Sequence, residues 1–298
     1  MQIDNFLTYL RLNRHYSELT IQSYQTDLLQ FENFLTQDDN DKSVLENDNL
    51  ISTNAIRSWI MTLTESKIST RSINRKISSL RAYFRWVELN DLDFENPTLK
   101  IINPKTNYRK MSAIPENDMQ TLLDSLRNEE DFIAFRNYLI ILLLYATGIR
   151  QAELLSIKEG DISLMLRQIR IIGKGNKERI IPLGEEIISK ITKYIDLKRR
   201  YNIEETTLFT DEKGKKLSKF QLYSMVHKLL ENIAVSERSP HVFRHTCATH
   251  LVNEGANIMN VKSLLGHSSI QATEVYTHTT IEELKKEYKR SFDHNFNK

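Results

Sequence analysis

Apolar residues recur along most of this chain at intervals of three and four, the spacing that gathers side chains on one face of an α-helix. Ile3, Phe6, Leu7 and Leu10 predict a first helix, and Ile21, Tyr24, Leu28, Phe31, Phe34 and Leu35, following a capping Ser17, predict a second. The Asp- and Asn-rich stretch 37–49 breaks the period and reads as a loop. Helical spacing resumes near Thr53 with Ile56, Trp59, Ile60 and Leu63, and again over 70–89 with Ile73, Ile77, Leu80, Phe84 and Val87. Pro115 and Glu116 open a helix carrying Met119, Leu122, Leu123 and Leu126. Residues 132–146 are apolar nearly all round, the mark of a helix at the centre of a core, and the run ends at Thr147-Gly148-Ile149-Arg150. Strand-like spacing appears once: Ile169, Ile171 and Ile172 lead into Gly173-Lys-Gly-Asn-Lys177, and Ile180 and Ile181 precede Pro182, which predicts a hairpin with a glycine-rich turn. Helices follow over 187–197, 221–233 and 244–253. Asn257 caps another, with Ile258, Val261, Leu264 and Leu265 inside and Gly266 as its stop. The fold class is mainly α with a small antiparallel β-sheet.

Asn96-Pro97, Asn103-Pro104 and the basic, apolar-poor segment 105–110 read as a linker, so two domains are expected, 1–105 and 106–298. Charge adds little globally: 41 basic and 39 acidic side chains leave a net +2, so any nucleic-acid surface must be local. One such stretch exists. Lys67, Arg71, Arg75, Lys76, Arg81 and Arg85 fall in the helix over 70–89 and just before it without an acid among them, although acids outnumber bases in residues 1–105. The stripe is either a solvated face or a set of DNA phosphate contacts, and the local absence of acids favours the second. The single cysteine, Cys247, has no disulfide partner and sits among apolar residues, which suits core packing in a reducing compartment. Met1-Gln-Ile-Asp-Asn-Phe shows no secretory signal, and the longest apolar run, 138–146, is too short to span a bilayer. A cytoplasmic protein without membrane insertion is expected.

Candidate chemistry concentrates late in the chain. Five of the eight histidines, His241, His245, His250, His267 and His278, fall in a few dozen residues together with Arg244 and Tyr276. His241 and Arg244 are three apart and share a helical face, whereas His245 and His250 point elsewhere. Arg150 ends a helix too apolar to be exposed, so its guanidinium either pairs with Glu153 or is held for an anion. Lys174 sits at the hairpin tip, where a lysine is commonly just solvated; the turn lacks the Walker spacing and no helix follows it. The histidines show no His-Glu-x-x-His pattern and the cysteine is isolated, so zinc is not expected. Gly266 and His267 are followed by the capping box Ser268-Ser-Ile-Gln271, which starts a helix bearing Tyr276; a tyrosine there is ordinarily a packed amphipath unless its neighbours give it chemistry.

Taken together, Ala146-Thr-Gly-Ile-Arg150-Gln-Ala-Glu-Leu154, Gly173-Lys174-Gly-Asn-Lys-Glu-Arg179, His241-Val-Phe-Arg244-His-Thr, Leu265-Gly-His267-Ser and Tyr276-Thr-His278 stand in the order found in tyrosine recombinases. The chain resembles that family, the phage-integrase family, and most closely its Xer-type bacterial members. Tyr16-Ser-Glu-Leu-Thr20 and Ser69-Thr-Arg-Ser-Ile-Asn-Arg-Lys76 look like the Xer core-binding region. Two departures, Ala152 for a common Ser and Cys247 for a common Phe, fall outside the catalytic positions. The resemblance implies a two-domain, C-shaped clamp on double-stranded DNA, its N-terminal part helical and SAM-like, and strand cleavage without a cofactor. It assigns Tyr276 as nucleophile, Arg150 and Arg244 as clamps on the non-bridging oxygens, His267 as a further donor there, His241 as proton carrier for the tyrosine and Lys174 as proton donor to the leaving 5′-oxygen. It also implies a second Xer-type recombinase in a synaptic tetramer, a septal DNA translocase of the FtsK type, and resolution of chromosome dimers at a dif-like site. The segment 281–292, amphipathic with Leu284 and Tyr288 in register, would dock on a neighbouring subunit or pack on its own domain.

Two alternatives share parts of this reading. An integrase or invertase of a mobile or phase-variable element would carry every catalytic motif. A DNA-binding relative without catalysis would have no need of six such groups in order.

Overall fold

The computed structural model describes residues 1–38, 48–106, 112–173 and 178–265. Two compact units divide the chain, Met1–Tyr108 and Arg109–Lys298. No helix among the described residues is long and apolar enough to cross a membrane.

The first unit is built from helices α1 (Ile3–Leu12), α2 (Glu18–Asp38), α3 (Thr53–Glu65) and α4 (Thr70–Asn90). Serines start three of them: Ser17, Ser52 and Ser69 accept the backbone N–H of Thr20, Ala55 and Ser72, groups that have no partner inside the helix. α4 packs against the other three. Its apolar face meets theirs in a core of Phe6, Leu28, Phe31, Ile56, Leu80, Tyr83 and Phe84, each at most 1% exposed. At 25 cal/mol per Å², burying an aromatic or aliphatic side chain of this size contributes about 1.5–3 kcal/mol, so this core is what holds α4 in a fixed rotation. The Tyr83 hydroxyl, carried into that core, donates to Asp48 and accepts the N–H of Gln2.

The second unit surrounds α6 (Phe132–Thr147). This helix is apolar on every side, with Phe135, Leu139, Ile140, Ile141, Leu143 and Leu144 fully buried. It is covered by α5 (Glu116–Leu126), α8 (Glu185–Arg200) and α10 (Pro240–Asn253). The Asp131 carboxylate accepts the Ala134 N–H at one end of α6, and Gly148 closes the other in a left-handed conformation, φ +58°. A short helix α7 (Gln151–Ser156) follows, then a three-stranded antiparallel sheet of β1 (Ile162–Ser163), β2 (Gln168–Ile172) and β3 (Glu178–Pro182) in the order β1-β2-β3. Ile169 pairs with Ile181 and Ile171 with Arg179, so Ile169, Ile171 and Ile181 face the core while Ile172 and Ile180 remain exposed. Helices α9 (Lys219–Leu229) and α11 (Ile258–Leu265) complete the described part.

Some elements depart from the sequence reading. α7 and β1 were not expected, because six and two residues are too few to establish a period. The helix expected over 221–233 stops at Leu229, where the chain turns, whereas α10 begins at Pro240, whose fixed φ suits a first helical turn, so that His241 lies in the helix with Arg244 as their spacing predicts.

Candidate active site

The site is organised by the turn that ends α6. Gly148 takes a positive φ, and a Cβ built there would lie 2.3 Å from Leu265 Cδ2 and 3.4 Å from Cys247 Sγ. The C-terminal ends of α6 and α11 and the middle of α10 therefore meet around a residue without a side chain. Two residues on, Arg150 sits at the N-cap of α7. Its backbone N–H and its Nη1 both donate to the Glu153 carboxylate, each at 2.8 Å. Only the carboxylate half of a capping box is present, because a guanidinium cannot accept an N–H, and the Nη1 bond closes the pair instead. The arginine is still 37% exposed while Glu153 is 5% exposed, so the pair is anchored from inside and open from outside.

Arg244, on α10, reaches the same turn. Its Nη1 donates to the Gly148 carbonyl and its Nη2 to the Leu265 carbonyl, both at 2.6 Å. Burial, followed by the positive charge of Arg150, lowers its pKa to about 10, so it stays cationic at neutral pH. Two like charges held near each other are costly without an anion, and their proximity here marks a place where a phosphate or similar group is favoured.

A third arginine joins them. Arg179, on β3, donates through Nη1 and Nη2 to the two oxygens of Glu153 at 2.9 and 2.8 Å. Burial alone would push the Glu153 pKa up, but the hydrogen bonds from Arg179 and Arg150 together outweigh it and hold the carboxyl at about 2.

The other candidates divide as follows. His241 is exposed on the first turn of α10, three residues before Arg244. His250 is buried: its Nδ1 is 2.9 Å from the Tyr145 hydroxyl and its Nε2 is 2.9 Å from the Ile114 carbonyl, which makes it a structural link between α10, α6 and the chain entering the unit. Cys247 is buried in the core, and burial pushes its thiol up to about 12, so it packs and does not react. Lys174, His267 and Tyr276 lie outside the described residues, as do the helix expected around Tyr276 and the segment 281–292. Among the described residues no three His, Cys, Asp or Glu side chains are placed to hold a metal ion.

In the first unit the basic stripe of α4 loses one member. Lys76 is buried, its Nζ donating to Asp27 at 3.0 Å and also to Gln30, so it faces the core and cannot reach DNA from there. The reason is rotational: nine residues separate it from Arg85, two and a half turns, which puts it on the opposite side of the helix. Lys67, Arg71, Arg75 and Arg85 are exposed; Arg75 also pairs with Asp27, and half-buried Arg81 donates to the Ile101 carbonyl.

Arg179 enters the sequence reading only as the last residue of a motif, with no role of its own. Its signal was parity: Arg179 occupies a strand position whose neighbours Glu178 and Ile180 point out, so a cation had to point in.

A profile of the phage integrase family matches residues 112–283, and one of the phage integrase N-terminal SAM-like domain matches residues 3–90. Among curated proteins, the tyrosine recombinase XerC of Staphylococcus saprophyticus is 34% identical over 285 residues, covering 95% of this chain and 94% of the relative. XerC of Staphylococcus epidermidis is 33% identical over 287 residues, covering 96% and 95%. Among solved structures, the Tn1549 transposon integrase in complex with transposon right end DNA matches with a TM-score of 0.72 at 18% identity, covering 96% of this chain and 100% of that one. The XerH site-specific recombinase bound to a palindromic difH substrate matches with a TM-score of 0.70 at 23% identity, covering 97% and 84%. At these identities the two structures speak to the fold alone.

Proposed function

The chain belongs to the phage integrase family and is a tyrosine recombinase, and on that premise we propose that it resolves chromosome dimers by cutting and rejoining DNA at a dif-like site, with a second Xer-type recombinase completing the synaptic tetramer and an FtsK-type septal translocase controlling it. The observation that carries the catalytic part is the approach of Arg150 and Arg244 to one turn of the second unit, at Gly148. The curated relatives, similar over nearly their whole length, support the biological part.

In this mechanism the Tyr276 hydroxyl attacks the phosphorus of a DNA phosphodiester. The tyrosine-to-phosphorus bond forms as the bond to the 5′-oxygen breaks, leaving a 3′-phosphotyrosyl link and a 5′-hydroxyl. His241 accepts the phenolic proton, and Lys174 donates one to the departing 5′-oxygen. Arg150 and Arg244, with His267, donate to the non-bridging oxygens, whose charge is greatest in the pentacoordinate transition state, so the stabilisation acts on the barrier more than on binding. The covalent link stores the phosphodiester for attack by a second 5′-hydroxyl, which makes strand exchange the outcome in place of hydrolysis. No cofactor takes part in these steps.

The test is incubation with a nicked suicide duplex carrying the chromosomal dif-like sequence, followed by denaturing electrophoresis. Wild-type protein yields a denaturation-resistant adduct; Y276F yields none while still shifting the duplex in a native gel. R150A and R244A slow adduct formation by about 10²–10³-fold each, the loss seen when one transition-state donor is removed. No wild-type adduct on a verified site sinks the reading. Adduct formation only on the ends of a mobile element would replace chromosome-dimer resolution with the mobile-element role.

A further inference from the structure

Strand β3 brings the site a nearly buried cation for which the reaction above has no use. Arg179 pairs across the sheet with Ile171 and shares the inward face with Ile181, and its side chain is only 9% exposed. Both terminal nitrogens form a bidentate fork on Glu153. That same carboxylate accepts the backbone N–H and the Nη1 of Arg150.

A carboxylate beside a phosphate-clamping arginine has two opposed effects. It fixes the guanidinium in one orientation, which favours catalysis. It also places a negative charge where a DNA phosphate must approach, and with Arg150 as its only counter-charge it would cancel the attraction that Arg150 offers. The fork from Arg179 separates the two effects, because its charge offsets that of Glu153 while the geometry of the Arg150 pair is kept. Among the described residues, the guanidiniums of Arg150, Arg179 and Arg244 and the carboxylate of Glu153 stand around the turn at Gly148, so the group remains cationic toward an incoming anion.

We propose that Arg179 is a positioning residue of the strand-cleavage reaction: by neutralising Glu153 it lets that carboxylate hold Arg150 without cancelling Arg150's charge toward the scissile phosphate. This rests on the recombinase reading above. Arg179 acts through Glu153 and touches no reacting atom. It also ties β3, five residues beyond Lys174 in the sequence, to the first turn of α7, so the two upstream cation-bearing segments share one carboxylate.

The experiment measures the rate of adduct formation on the nicked duplex for R179Q, R179K and the double variant E153Q/R179Q, with thermal melting by circular dichroism to establish folding and a native gel for DNA affinity. R179Q is expected to lose about a hundredfold in rate, comparable to losing a transition-state donor, with DNA affinity changed only a few fold. E153Q/R179Q, which removes the charge that Arg179 offsets, recovers at least about tenfold of that loss, and R179K, which keeps the charge without the fork, stays within about tenfold of wild type. A merely structural arginine would be rescued in melting temperature by deleting its partner, but its loss would leave the rate of the folded protein unchanged. A folded R179Q with the wild-type rate overturns the proposal, and so does a folded double variant no faster than R179Q. Where R179Q fails to fold, the double variant and R179K decide: either one, folded and within about tenfold of wild type, supports the proposal, and a hundredfold loss in both overturns it. Absence of an adduct with wild-type protein sinks the recombinase reading itself, so the two failures are distinct.

Discussion

Glu153 lies 5% exposed against two guanidiniums, and its carboxyl is held at about 2 from an ordinary value of 4.5. Because the folded value is depressed, the carboxylate contributes stability that is present above pH 4.5 and lost as pH falls from there toward 2. A shift of this size corresponds to something on the order of 3 kcal/mol. E153Q lacks this component, so its melting temperature should change less than that of wild type as pH falls from about 5 to about 3, the window set by that depression. Equal acid sensitivity in the two proteins would show that other carboxylates dominate. The pairing of Arg150 with Glu153 was legible in sequence as one of two open readings, since a guanidinium at the end of a helix too apolar to be exposed needs an anion. The fork from Arg179 was not, because Glu153 lies 26 residues away on α7 and their meeting depends on how β3 packs against that helix.

A helix face is a claim about rotation, and α4 shows how far sequence carries it. Ile73, Ile77, Leu80 and Phe84 are buried as their spacing predicts, and the exposed Arg71, Arg75 and Arg85 border the opposite side, with exposed Lys67 in the turn before the helix. Lys76 groups with the basic residues by charge, although its position in the turn belongs with the apolar ones. Asp27, fully buried on α2, is the partner that makes its burial tolerable, together with Gln30. K76A leaves Asp27 with Arg75 and Ser79, and should destabilise the protein by about 2–4 kcal/mol, measured by urea unfolding, without altering the salt dependence of DNA binding. R71A and R85A should do the reverse: little change in unfolding, and a salt slope of log K reduced by about 0.9 for each DNA phosphate no longer neutralised. If K76A flattens the salt slope as R71A does, the assignment of the stripe is wrong.

At the scale of the whole molecule, a net charge of +2 means that DNA affinity has to come from local surfaces, and the α4 stripe and the arginines at the Gly148 turn are the ones proposed for that role. Composition could exclude a disulfide framework and period could locate most helices, the hairpin and the all-apolar α6, because each depends on residues within a few turns of one another. The order of the motifs was equally a property of the chain, and it pointed to the family before any distance was known. What the sequence by itself determined is therefore the inventory: which elements form, which side chains carry charge or nucleophile, and in what order they come. Only the tertiary structure decided their company. Arg244 meets the carbonyl of Gly148 across 96 positions of chain and that of Leu265 across 21, and Arg179 meets Glu153 across 26. Such contacts are set by how α10, α11 and β3 pack around the end of α6, where a glycine with positive φ leaves room for them. No local pattern encodes that packing, because hydrophobic burial is non-directional and specifies a face, while the pairing of polar groups is fixed only when the faces have met.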